Sequence, residues 1–463
     1  MKLGEGSGLK EYQGGITWYG KAFIKGDIFT KLSYIVFGIS NVVRGQIVKG
    51  LMFLILEASF ITFMVMSGFY NLSKFMTLGT QKPGIFVDPK TQVPYHVNGD
   101  NSMLIMLAGI VTIFVVIFFV IFWGIAIKSA VLTELRHRQG MKRIGFIDDI
   151  RSLFDMNIHK MMLFIPILGL ILFTVLPIVY MFATAFTNFD YKHQPPGFLF
   201  SWVGLQTFKL VFDAGNALGH TFWSVLGWTM IWAVFSTFTC YFFGMLLALL
   251  INKKEIKFKK FWRTNFVITM AVPSFVSLLL IHEMLQPQGV LNNLLIEWGF
   301  IHNPLPFLVD ATWARVTVII VNIWIGVPSS MLIITGILTN ISPELYESAK
   351  VDGASALQTY RKITLPYVLY VTTPYLISAF VMNINNFSVI YLVTGGGPAT
   401  LDYYKGAGKT DLLVTWLFRL TVNNWDYSFA AVIAVMVFVL CAAFSIIVFR
   451  RTTAATSEEE FQK

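Results

Sequence analysis

Long apolar stretches alternate with short polar connections along almost the whole of this chain. A helix needs about 20 apolar residues to cross the hydrocarbon core of a membrane. Eight stretches reach that length, at 47–70, 103–127, 161–186, 219–251, 264–285, 314–338, 368–393 and 427–449. The fourth is long enough to include a tilted or interfacial end. Lipid satisfies no backbone groups, so such stretches must close their own hydrogen bonds as helices. The pattern predicts an all-α polytopic membrane protein with eight transmembrane helices.

Two of the eight carry polar or helix-breaking residues at mid-depth. In the sixth, Trp324-Ile325-Gly326-Val327-Pro328-Ser329 predicts a break, because proline removes an N–H and frees carbonyls. Such a break suits a substrate path or hinge, or is a plain kink. In the seventh, Asn383, Asn385 and Asn386 are amides in an apolar helix, where unsatisfied groups are costly. At 100° per residue, Asn383 and Asn386 lie about 60° apart and can line one polar cavity, while Asn385 points about 160° away from Asn383, toward a neighbouring helix. The alternative is that all three join helices together.

Between the sixth and seventh stretches lies a polar island, 342–366. Ser342 and Pro343 make a good helix start: a hydroxyl to cap free N–H groups, then a residue that needs none. Glu344 and Glu347 suit the positive end of that helix dipole. Gly353 offers a left-handed stop, and 354–362 can form a second short helix. Two short helices at a glycine elbow, tethered to the membrane on both sides, could pass a push from a soluble partner into the bilayer.

Composition agrees with the pattern. The 463 residues are 56% hydrophobic and 13% charged, with mean hydropathy +0.66, which leaves too little polar surface for a soluble protein. The net charge of +10 would suit nucleic acid, but its placement argues otherwise. With the N-terminus inside, the inner connections carry 25 Lys and Arg and the outer ones 8. That bias follows the positive-inside rule and predicts both termini in the cytoplasm. Cys240 and Cys441 both fall in apolar stretches, so neither a disulfide framework nor a zinc site is implied. No cleavable signal peptide is visible.

The expected organisation is a cytoplasmic tail with an amphipathic segment (1–46), a two-helix extension (47–127), a basic loop (128–160), a six-helix core (161–449) and a tail (450–463). Within 1–46 the Gly-rich start reads as partly disordered, and 23–43 as lying on the inner membrane surface. The acidic run 457–460 reads as solvated. Glu57 is an intramembrane acid, expected to pack against Lys49 or Arg44. His282 and Glu283 read as an interfacial pair. Gly406-Ala407-Gly408-Lys409-Thr410 ends like a phosphate-binding loop, but Tyr403 stands where the first glycine is required. With no other such motif, ATP hydrolysis must come from a partner. A proton-coupled secondary transporter would need ionisable residues facing the core, and these stretches offer few.

The island pattern E-S-A-x-x-D-G-A-x-x-x-x-x-Y-x-x-I-x-L-P resembles the EAA loop of binding-protein-dependent ABC importer permeases. Glu347, Ala349, Asp352, Gly353, Ala354, Ile363, Leu365 and Pro366 match it, whereas Ser348 replaces an alanine and Tyr360 a phenylalanine. With N-I-W-I-G-V-P at 322–328, N-I-N-N-F-S-V-I-Y-L-V-T-G-G-G-P at 383–398 and K-T-D-L-L-V-T-W-L-F-R-L at 409–420, residues 160–450 look like the larger permease subunit of maltose/maltodextrin-type ABC importers. The resemblance implies a type I ABC importer permease fold in the bacterial cell membrane. It implies no cofactor in this chain, since ATP and Mg are bound by the partner ATPase. The implied partners are a second, smaller permease, two ATPase subunits and an extracellular sugar-binding protein. Coupling to the ATPase would fall to Glu347, Ala349, Asp352, Gly353, Ala354 and Pro366. A sugar site would fall to Ile325, Gly326, Ser329, Ala379, Met382, Asn383 and Asn386. Ser329 and Met382 stand where the family has rings and Ala379 where it has serine, which weakens the case for maltose itself; maltose/maltodextrins stay the first expectation, with another oligosaccharide, such as a galacto-oligosaccharide, as the alternative.

Overall fold

The computed structural model describes residues 16–141, 145–155, 158–253 and 255–451. The Gly-rich start and the acidic run at 457–460 lie outside the described residues. Among the described residues, seven helices are long and apolar enough to cross a membrane, or eight with a bent helix pair counted as one span. The seven are Ile47–Thr77, Ser102–Arg138, Ile158–Thr184, Ala217–Asn252, Ala311–Thr339, Ala356–Val393 and Tyr427–Arg450. The described chain forms two compact units, one up to Ala183 with Lys192–Trp202, the other Thr184–Tyr191 with Val203 onwards.

In the first unit, short helices at Ile16–Lys25, Ile28–Leu32 and Ile39–Val43 occupy the amphipathic segment. Ala22 is buried against Ile127 and Val131 of the second span, and Trp123 Nε1 donates to the Tyr34 carbonyl at 3.0 Å. Asp27 pairs with Arg44, and Glu57 accepts the Phe37 backbone N–H at 2.7 Å. A two-stranded hairpin, β1 (Gly84–Val87) and β2 (Pro94–Val97), stands in the connection between the first two spans, paired Gly84 to Val97 through Val87 to Pro94.

The second unit is built around the fourth span. Trp228 and Trp232 are buried in its N-terminal half, and Tyr241, Met245, Ala248 and Ile251 in its C-terminal half. It meets the sixth span at small residues: a Cβ on Gly244 would lie 2.5 Å from Ser330 Cβ, and one on Gly326 2.7 Å from Cys240 Sγ. Small residues four apart on both helices let two backbones approach where no hydrophobic drive exists between them. The fifth span is the bent pair, Lys259–Ala271 and Ser274–Met284, turned by 87°. Val272 is extended there because the ring of Pro273 disfavours a helical residue before it.

The sixth span corrects the sequence reading. It runs unbroken from Ala311 to Thr339 with Pro328 inside it. A proline costs one backbone bond and a local clash, and packing against the fourth span holds the helix together despite both. The break lies in the seventh span, where the helix Leu365–Ile384 ends at Asn385 and a new one, Phe387–Val393, starts.

After the seventh span, the connection 394–412 folds tightly onto itself. Gly396 has φ +82°, and a Cβ there would lie 2.0 Å from Asp411 Oδ1. The Gly408 amide donates to Asp411 Oδ2 at 2.7 Å, so the amide that a phosphate loop would offer is already used. Burial pushes the Asp411 carboxyl above its ordinary range, against the pull of Arg419, the Gly408 amide and Thr415. Gly396→Ala is therefore expected to open this loop, the left-handed backbone alone costing about 2 kcal/mol. Limited proteolysis should find new cleavage within 394–412; an unchanged digest would contradict the packing.

Candidate functional site

The polar island forms the elbow that its residues predict, with one change of construction. Ser342 Oγ accepts the Glu344 N–H at 3.3 Å and caps the helix Pro343–Val351. Gly353 has φ +75°, and the Ala354 amide returns to the Ala349 carbonyl at 2.9 Å, which closes the helix end. Nothing stands within 4 Å of a Cβ at Gly353, so glycine is required there for the backbone alone. The second helix is not a separate short one over 354–362. It starts at Ala356, capped reciprocally by Ser355 and Gln358, and passes through a π turn at Tyr360–Thr364 into Leu365–Ile384. Ala354 precedes it and Pro366 lies within it.

The distal limb of the elbow is therefore the N-terminal end of the seventh span itself. Tyr346 OH and Thr364 Oγ1 are 3.1 Å apart, tying the first limb to the base of that span. Tyr346 and Tyr360 pack with Met245, Ile251, Ile341 and Val368. Glu347 and Asp352 are exposed, Ala349 and Ala354 half-buried. Val351, at 87% exposure, adds an apolar tip beside them.

At the other end of that span is a cleft of about 470 Å³. Gly326, Ser329, Ala379, Met382, Asn383 and Asn386 all line it. Ile325 does not; it lines a separate, mainly apolar cavity of about 600 Å³ beside the bend of the fifth span, which Ser329 also touches. Asn385 lines the first cleft too, and its amide donates back to the Val381 carbonyl at 3.0 Å.

The break in the helix supplies the polarity of the cleft. Asn386 Oδ1 accepts the Val389 N–H at 3.2 Å, capping the outer segment, while its Nδ2 donates to Asn322 Oδ1 at 3.3 Å. Asn383 Nδ2 donates to Thr237 Oγ1 at 3.0 Å, and Trp232 Nε1 donates to the Asn383 carbonyl at 3.0 Å. Lower in the wall, Ser330 Oγ and Tyr375 OH are 3.0 Å apart. Hydroxyls, amides and apolar patches in a charge-poor cleft suit a neutral polyhydroxyl ligand. Sequence reading missed Asn322, Thr237 and Trp232. Asn322 stands four residues before Gly326, on the same helix face, and could have been found by that spacing. At the end of the fifth span, the His282 ring nitrogens meet the Val393 carbonyl at 2.6 Å and Gln286 at 2.8 Å.

The family described as "binding-protein-dependent transport system inner membrane component" matches residues 240–451. The chain is 33% identical over 426 residues to the galactooligosaccharides transport system permease protein GanP of Bacillus subtilis (strain 168), covering 91% of this chain and 96% of that one. It is 31% identical over 441 residues to the maltodextrin transport system permease protein MdxF of the same strain, covering 91% and 95%. Among solved structures, a chain of a bacterial ABC transporter involved in the import of the acidic polysaccharide alginate shares the fold, at TM-score 0.52 and 23% identity, over 65% of this chain and 96% of that one.

Asn386→Ala should lose both the cap and the bond to Asn322, lowering stability by on the order of 1 kcal/mol for the cap alone. Asn386→Ser keeps a capping oxygen and should recover most of that loss. Thermal unfolding in detergent of the two variants beside the parent checks this; equal melting points for Ala and parent would remove the capping role.

Proposed function

Because this chain belongs to the family of binding-protein-dependent transport system inner membrane components, we propose that it forms one half of an ATP-driven path that imports an oligosaccharide. Maltodextrins are the first substrate reading. Galacto-oligosaccharides are the second, favoured by the similarity to GanP over nearly its whole length and by Ser329 and Met382 standing where maltose permeases carry rings. The other half of the path is a second, smaller permease. Two ATPase subunits supply the hydrolysis and hold the nucleotide and Mg, and an extracellular binding protein delivers the sugar. Both termini face the cytoplasm, on the strength of the positive-inside bias.

The observation that carries the reading is one of continuity. The exposed elbow at Glu347–Gly353 runs through an unbroken helix into the span that supplies Ala379, Met382 and Asn383 to the cleft. Glu347, Ala349, Asp352, Gly353 and Ala354 meet the ATPase, and Pro366 starts the stiff part of the lever. Nucleotide-driven closure of the ATPases pushes the elbow, and the seventh span transmits that motion to the cleft, as alternating access requires. Sugar hydroxyls bond Asn383 and Asn386 at the backbone break, with Gly326, Ser329, Ala379 and Met382 shaping the wall.

Uptake of labelled maltotriose, maltose and a galacto-oligosaccharide in a strain lacking this chain tests the function, with one arm depleted of ATP. Loss of ATP-dependent uptake of either series supports the reading and chooses the substrate. Loss of an uptake that survives ATP depletion would replace it with a secondary transporter. Glu347→Ala and Gly353→Asp are expected to abolish uptake by uncoupling it, with membrane insertion intact by immunoblot. Normal uptake by both variants would remove the coupling role of the elbow.

A further inference from the structure

The seventh span continues outward past the cleft. Phe387 and Ser388 line that inner cleft. Tyr391 and Leu392, four residues on, line a second cleft of about 470 Å³. Residues four apart share a helix face, so one face of Phe387–Val393 borders both clefts, whose linings are separated along it by roughly 6 Å.

That face is aromatic. The Phe387 and Tyr391 rings stack with centroids 4.7 Å apart and planes 21° from parallel. Phe418 meets them edge-on at 5.0 and 5.4 Å. Tyr391 remains 43% exposed, so a large ring is held rigidly from one side and left open on another. The second cleft adds Thr394, His282, Arg419 and the exposed Asn423. Arg419 is tied to the Gly406 and Gly395 carbonyls at 2.8 and 2.6 Å, and its charge is balanced by Asp411 at 3.3 Å. A cleft whose guanidinium is already neutralised selects poorly for an anion. A fixed ring bordered by hydroxyl, amide and imidazole groups instead fits a sugar, whose C–H face stacks while its hydroxyls bond at the edge.

We propose that this outer cleft is a second sugar subsite, in which Tyr391 stacks a trailing ring of a longer neutral oligosaccharide while the leading ring occupies the inner cleft. The inference rests on the import function argued above, and adds that the permease itself selects for chain length.

The test is ATP-dependent uptake by cells carrying the complete importer, with a labelled disaccharide and a labelled tetrasaccharide in both the malto and galacto series. Tyr391→Ala and Tyr391→Leu should lower tetrasaccharide uptake about tenfold relative to disaccharide uptake, and Tyr391→Phe should restore it. Leucine keeps apolar packing against Phe418 but offers no ring, so recovery by leucine would assign Tyr391 to packing and overturn the subsite. An equal fall for both chain lengths, or no fall for either, would overturn it as well and leave the import function standing. Failure of the parent importer to carry either series would overturn the function, and the subsite with it.

Discussion

An interrupted helix inside a membrane exposes peptide groups that lipid cannot satisfy, and the break at Asn385–Asn386 is the constraint around which the second unit is arranged. Several groups around it have partners on neighbouring helices. The Asn383 carbonyl receives Trp232, the Asn383 amide reaches Thr237, and Asn386 caps the outer segment while bonding Asn322. Those partners come from the fourth and sixth spans, so the break is stable only where these two helices converge. The same donors and acceptors make the cleft polar in an otherwise apolar environment. Stability and the polarity of the cleft are here met by one set of atoms.

Convergence depends in turn on small residues. Cys240 and Gly244 on the fourth span face Gly326 and Ser330 on the sixth, and a methyl group added at either glycine would overlap the opposing helix. The close approach brings Asn322 under Asn386 and sets Ser330 against Tyr375 of the seventh span. The cleft is thus walled by one helix that is broken and two that are locked together. Of the three, the sixth enters the elbow through 340–341 and the seventh leaves it as a helix from Ala356.

Much of this is legible in the sequence. Apolar length placed the spans, and proline, glycine and serine placed the elbow, because those signals are local and each has a single dominant physical cause. What failed was the choice between competing breakers. Pro328 lies in a continuous helix, whereas Pro273 ends one and the asparagines interrupt another. Whether a proline breaks a membrane helix depends on what neighbouring helices offer its freed carbonyl, which no window of sequence contains. Trp232 and Thr237 were invisible for the same reason: they sit in a uniformly apolar span and gain a role only through its crossing with the seventh. The second helix of the elbow was misread as separate because Tyr360–Thr364 looks like a polar connection, though its backbone stays helical through a π turn.

The proposed function requires the elbow and the cleft-lining part of the seventh span to move as one body. Spin labels at Gln358 and Met382, about 36 Å apart along the helix at 1.5 Å per residue, measure it directly in the assembled importer. The distance between them should be the same without nucleotide and with ATP trapped, while the distance from Gln358 to a label at Leu250 on the fourth span changes. A Gln358–Met382 distance that shifts on ATP trapping would contradict the account, because the elbow would then flex without carrying the cleft.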